Sequence, residues 1–154
     1  MTTLDQAEAI AGATLAHGRS LGAAPLTVAV LDAGGHLVVL KREDGSGILR
    51  PQIAHAKAWG ALGMGFSSRE LGVRADRQPV FFGALAAVAE GRLAPAAGGV
   101  LVRTADGTVV GAVGVSGDIS DVDEVCALAG VAAAGLGTDL PPSGGEAGSG
   151  GGGR

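Results

Sequence analysis

Two pairs of apolar, β-branched runs, each joined by a short glycine-containing turn, constrain this 154-residue chain more than any other feature. LTVAVLD (Leu26–Asp32) is followed by AGG and then HLVVLKR (His36–Arg42). VLVRT (Val100–Thr104) is followed by ADG and then TVVGAVGVS (Thr108–Ser116). Such runs around tight turns are hairpin signals. LTVAVLD is apolar on both faces, so it reads as a strand buried on both sides.

The remaining segments are helical. Leu4, Ala7, Ile10, Ala11, Thr14 and Leu15 lie at helical spacing over Thr3–Leu21. Thr2 or Thr3 can cap that helix, and Gly22 can end it. Arg50–Met64 reads as a second helix with Pro51 in its first turn, and Ser67 or Ser68 caps a third. A fourth is expected over Pro79–Glu90 and a last one over Ser120–Gly135, with Ser120 as cap. The order α-β-β-α-α-α-β-β-α implies an α+β fold: an antiparallel sheet of about five strands or fewer, flanked by helices. It excludes the alternating pattern of a doubly wound nucleotide fold. Residues 1–140 form the single expected domain. Residues 141–154, PPSGGEAGSGGGGR, lack large apolar side chains and are expected to be a disordered tail.

Composition narrows the function. A net charge of −4 argues against general nucleic-acid binding. No uninterrupted apolar run is long enough to cross a membrane. One cysteine, Cys126, allows neither an intrachain disulfide nor a Cys-rich zinc site. The opening MTTLDQAEAI has no basic or apolar leader pattern, so a cytoplasmic protein is expected. Glycine is 29 of 154 residues, against a usual ~7%, which suits close backbone approach and oligomeric assembly.

Familiar motifs fail. Gly111, Gly114 and Gly117 do not make a dinucleotide or phosphate loop. GVSGD around Ser116 has Asp118 where a nucleophile elbow needs glycine, and no histidine follows it. His17, His36 and His55 fall on separate elements without metal-ligand spacing, so no metal site is expected.

Taken in order, VLDAGGHL (around residues 31–37), Arg42-Glu43-Asp44-Gly45, the A-x-x-K-A of Ala54–Ala58, Gly98–Val102, VVGAVGVSG (Val109–Gly117), Asp123-Glu124 and Ala129-Gly130 resemble the GlcG/HbpS family. That family of haem-degrading or haem-binding proteins includes the C-terminal domain of PduO-type proteins. The resemblance covers roughly residues 4–137. It implies a profilin-like antiparallel sheet flanked by helices, and assembly as homo-oligomers from dimers to octamers. It further implies haem as a cofactor of some members, and proximity of others to small-molecule catabolic enzymes. The secreted haem-sensing branch carries a signal peptide that this sequence does not show.

The candidate ligand-binding residues are Arg42, Asp44, Lys57, Gly98, Gly99, Ser116 and Asp123. Arg42 can hold a ligand carboxylate with Asp44 orienting it, or the two can form a structural pair. Lys57, alone in an apolar run, can bind an anion or act as a base or Schiff-base amine, or it can snorkel to solvent. Gly98 and Gly99 can offer bare amides to an anion or simply make a sharp turn. Ser116 ends a strand just before a helix N-terminus, and Asp123 belongs to the family motif. His55 lies about 200° from Lys57 around a helix and one turn from Trp59. It is the haem axial candidate, or an interface residue. Tyrosine is absent, and Cys126 and Met64 read as buried, which leaves the histidines as iron ligands.

The expected function is a cytoplasmic oligomer that binds haem or a small anionic metabolite near a subunit interface. The alternative is a catabolic isomerase, lyase or hydrolase acting on a carboxylate, with Lys57 or Asp44 as base.

Overall fold

A computed structural model describes residues 1–140; the expected tail, 141–154, lies outside the described residues. The elements are α1 (Leu4–Leu21), β1 (Thr27–Asp32), β2 (Leu37–Arg42), α2 (Arg50–Met64), α3 (Ser68–Arg77), α4 (Pro79–Val88), β3 (Gly99–Arg103), β4 (Val109–Ser116) and α5 (Ser120–Ala133). The class is α+β, and the strands form one antiparallel sheet in the order β2-β1-β4-β3. The two hairpins meet through β1 and β4. Thr27 lies opposite both Arg42 and Ser116, and Gly99 lies opposite Gly114. One end of the sheet therefore collects the start of β1, the ends of β2 and β4, and the start of β3.

Alternation divides the core between two faces. Val28, Val30, Val100, Val102, Val113 and Val115 pack with Ile10 and Ala11 of α1 and with Cys126, Ala127 and Val131 of α5. On the other face Leu31, Leu101 and Ala112 pack with Ala58 and Ala61 of α2. Every residue of β1 is buried, as its two-sided apolar pattern requires, whereas β2 is a half-exposed edge.

Local chemistry sets the helix ends. Thr3 and Gln6 form a capping box at α1, and Gly22 closes that helix with φ 67°. Thr2 is buried instead, its hydroxyl donating to the Val110 carbonyl at 2.8 Å. Ser120 does not cap α5. Ile119 holds the cap position, and its amide donates to the Asp118 carboxylate at 2.7 Å. Ser67 precedes α3 as expected, but its hydroxyl donates to Asp139 rather than to the helix. Helix α4 stops two residues before the expected Glu90, because Glu90 and Gly91 turn left-handed with φ 55° and 78°. Cys126 is fully buried, and Met64 is only partly so.

Helix α2 lies unusually close to the sheet. A Cβ at Gly114 would collide with the Ala54 carbonyl, and one at Gly99 with the Lys57 carbonyl. Both obstacles are helix backbone, which no rotamer change can move.

Gly114→Ala is expected to cost about 3 kcal/mol in urea unfolding, since the whole helix must lift. An unchanged midpoint would show that the helix–sheet contact is looser. Burial pushes the Cys126 thiol up to about 11. The native protein should therefore resist thiol reagents at pH 8 and react fully once unfolded.

Candidate functional site

At the collected end of the sheet, Lys57 of α2 reaches past β4 to α5. Its side chain is 3% exposed and that of Asp123 is 1% exposed. Lys57 Nζ donates to the Val115 carbonyl at 2.9 Å and to Asp123 Oδ2 at 3.1 Å. Asp123 Oδ1 accepts the Asp118 amide at 2.9 Å, closing the loop between β4 and α5. Burial pulls the Lys57 ammonium below its usual range, and the Asp123 charge opposes this. Burial likewise raises the Asp123 carboxyl, opposed by the Asp118 amide and by Lys57. Each group has hydrogen-bond partners, as burial of such a pair requires.

Gly98 and Gly99 make room for this pair. A Cβ at Gly98 would stand 2.8 Å from Lys57 Nζ. The Gly99 amide donates to the Ser68 hydroxyl at 2.7 Å, so it is already engaged. Ser116 is fully buried and accepts from Arg50 Nη1 at 3.1 Å. Arg50, which the sequence did not single out, adds its positive charge to the surroundings of both Lys57 and Asp123. Beside them Arg69 Nε donates to both oxygens of Glu124, at 3.1 and 3.0 Å, tying α3 to α5.

Arg42 and Asp44 stand elsewhere. With Arg19, Pro25 and Glu43 they line a hollow of about 430 Å³ at the β2 edge. Arg42 Nη1 donates to the Ser46 carbonyl at 2.9 Å, and Arg19 pairs with Glu43 at 3.0 Å. The strand order explains the separation. Arg42 lies opposite Thr27, which lies opposite Ser116, so β1 stands between Arg42 and the end of β4 that Lys57 reaches, two strand spacings or roughly 10 Å. The structure thus brings together Lys57, Gly98, Gly99, Ser116 and Asp123, and places Arg42 and Asp44 apart from them.

His55 projects away from the buried pair, on the outer side of α2. It lines a hollow of about 330 Å³ with Leu37, Leu40, Pro51 and Gln52 on one hand and Glu90, Gly91 and Arg92 on the other. Burial, aided by the positive charge of Arg92, lowers the imidazole pKa and favours the neutral ring. One turn along, the Trp59 indole carries the Arg92 guanidinium 3.9 Å above its ring. Arg92 and Glu90 lie in a loop with no recognisable motif; the only sequence signal there is Gly91, which marks the turn. His36, by contrast, is exposed at the first hairpin, with Nδ1 3.1 Å from Asp32 Oδ1. His17 is partly exposed on α1. Among the described residues no group of three or more His, Cys, Asp or Glu side chains is placed to hold a metal ion. No helix among them is long and apolar enough to cross a membrane.

The family model described as haem degrading protein HbpS-like matches residues 2–132. Among solved structures, the haem complex of PduOC is similar with a TM-score of 0.80 and 25% identity, over 90% of this chain and 98% of that one. HbpS is similar with a TM-score of 0.74 and 33% identity, over 84% of this chain and 87% of that one. The Klebsiella pneumoniae protein ORFY shares the fold, with a TM-score of 0.79 and 24% identity over 90% and 92% of the two chains. No curated protein matches the chain.

Lys57→Met leaves the buried Asp123 carboxylate without its paired cation. It is expected to cost about 3–5 kcal/mol in urea unfolding. Adding Asp123→Leu should return much of that loss, a coupling readable in a double-mutant cycle. Strictly additive losses would show that the two groups do not depend on each other.

Proposed function

This chain belongs to the family of haem-degrading, HbpS-like proteins, and from that membership we propose that it binds haem in the hollow beside His55. The residues there fit the group. A neutral imidazole is the form that ligates iron. Leu37, Leu40 and Pro51 supply an apolar wall for a porphyrin face. His55 would hold the iron, and α2 fixes its position because the opposite face of that helix is locked to the sheet. When bound, haem supplies an iron centre that can change oxidation state or take a further ligand. The observation that carries this reading is the combination, in one open apolar hollow, of a half-buried imidazole and a nearby guanidinium.

The hollow is open on one side. Leu37 and Leu40 at its rim are 50% and 42% exposed. A second copy of the chain would cover the porphyrin surface that one chain leaves bare. The reading therefore includes a homo-oligomer, between a dimer and an octamer.

The Arg42 hollow favours a second, separate ligand class. Two guanidiniums, Arg19 and Arg42, border about 430 Å³ of open space beside Asp44. Glu43 also lines it and holds Arg19, which leaves Arg42 as the clamp for a small carboxylate metabolite. Lys57 does not line this hollow, so a proton-transfer reaction there would rest on Asp44.

Titration with hemin should give a saturable Soret band in the wild type. His55→Ala should weaken that binding by about 10–100-fold, while His17→Ala and His36→Ala leave it intact. Wild-type affinity in the His55 variant would overturn the assignment.

A further inference from the structure

Resting on the haem reading, we infer that Arg92 recognises a carboxylate of the bound tetrapyrrole, so that the site selects the free acid over its ester. The backbone next to Arg92 is strained. Glu90, with φ 55°, is the one non-glycine residue among the described residues whose φ is positive, and Gly91 follows at 78°. A bulky residue held left-handed persists only where its surroundings over-determine it, and such strain gathers at ligand sites. Here it ends α4 early and turns Glu90, Gly91 and Arg92 into the wall of the His55 hollow.

The guanidinium is fixed from behind. Arg92 Nε donates to the Ala89 carbonyl at 3.0 Å, and the flat face of the group rests on Trp59. Its terminal nitrogen Nη2 lies 3.9 Å from Glu90, too far for a hydrogen bond, and the Glu90 side chain is 82% exposed. Nε and the stacked face are therefore engaged, while among the described residues the terminal nitrogens make no hydrogen bond to a carboxylate and only a long ion pair with the exposed Glu90. A planar, pre-oriented fork at the wall of a hollow is the arrangement that binds a carboxylate through two parallel hydrogen bonds. Haem presents an apolar macrocycle with acidic arms, which matches a hollow that is apolar at Leu37 and Leu40 and cationic at Arg92, the neighbouring Glu90 side chain being turned to solvent. Arg92 is thus a specificity-determining residue, distinct in role from the iron ligand.

The test compares hemin with its dimethyl ester, which keeps the iron and the ring but lacks the acidic groups. Both are titrated into the full chain in the same detergent, with quenching of Trp59, the only tryptophan, as readout. The wild type should bind hemin about tenfold or more tightly than the ester. Arg92→Ala should lower hemin affinity to that of the ester and leave the ester unaffected, and Arg92→Lys should keep part of the preference. Equal weakening of both ligands by Arg92→Ala would make the residue a structural prop for Trp59 and overturn the inference. Absence of any wild-type preference would overturn it as well, and that result does not depend on the variants folding. If neither ligand binds the wild type, the haem reading itself fails and this inference falls with it.

Discussion

Helix α2 rests on bare backbone, and the rest of the molecule is arranged around that contact. Gly114 passes beneath the Ala54 carbonyl and Gly99 beneath the Lys57 carbonyl, so the helix axis lies nearer the sheet than any side chain would permit. From that depth the inner face of α2 sends Lys57 to the end of β4. The outer face carries His55 and Trp59, one turn apart, towards β2 and the loop after α4. One steric condition therefore sets the buried ion pair and the open hollow together. A methyl group at either glycine would displace both.

Burying an ammonium and a carboxylate is expensive unless both are fully bonded. Lys57 meets a strand carbonyl and Asp123, and Asp123 also takes the Asp118 amide. These bonds join α2, β4 and α5, elements from both faces of the sheet, at a single point. That favours one register of the layers over neighbouring ones, a role for which an apolar pair of the same volume would be less discriminating. Arg50 and Ser116 extend the polar cluster towards the start of α2, where Ile48 and Leu49 lie exposed.

The elements were legible because each carries its own local signal: hairpin turns, the Thr3 cap, and proline at the starts of α2 and α4. Family membership was legible in the order of short glycine-rich segments. The site was less so. Gly98 and Gly99 suggested amides for an anion; the structure shows in addition that both admit the close approach of Lys57, and that the Gly99 amide is taken by Ser68. Arg42 seemed a companion to Lys57, but strand order, which no local pattern states, puts β1 between them at the same end of the sheet. The helical angle between His55 and Lys57 did anticipate that one turns inward and the other outward. Arg92 sits in a loop without periodicity, so only the fold reveals its place over Trp59.

The claim on which the functional account stands is that one face of α2, and no other part of the chain, holds the iron. Anomalous diffraction at the iron absorption edge, from crystals of the haem-loaded protein, tests it directly. An iron peak at ligation distance from a ring nitrogen of His55 is expected. A peak beside His17 or His36, or in the hollow bordered by Arg42, would contradict it.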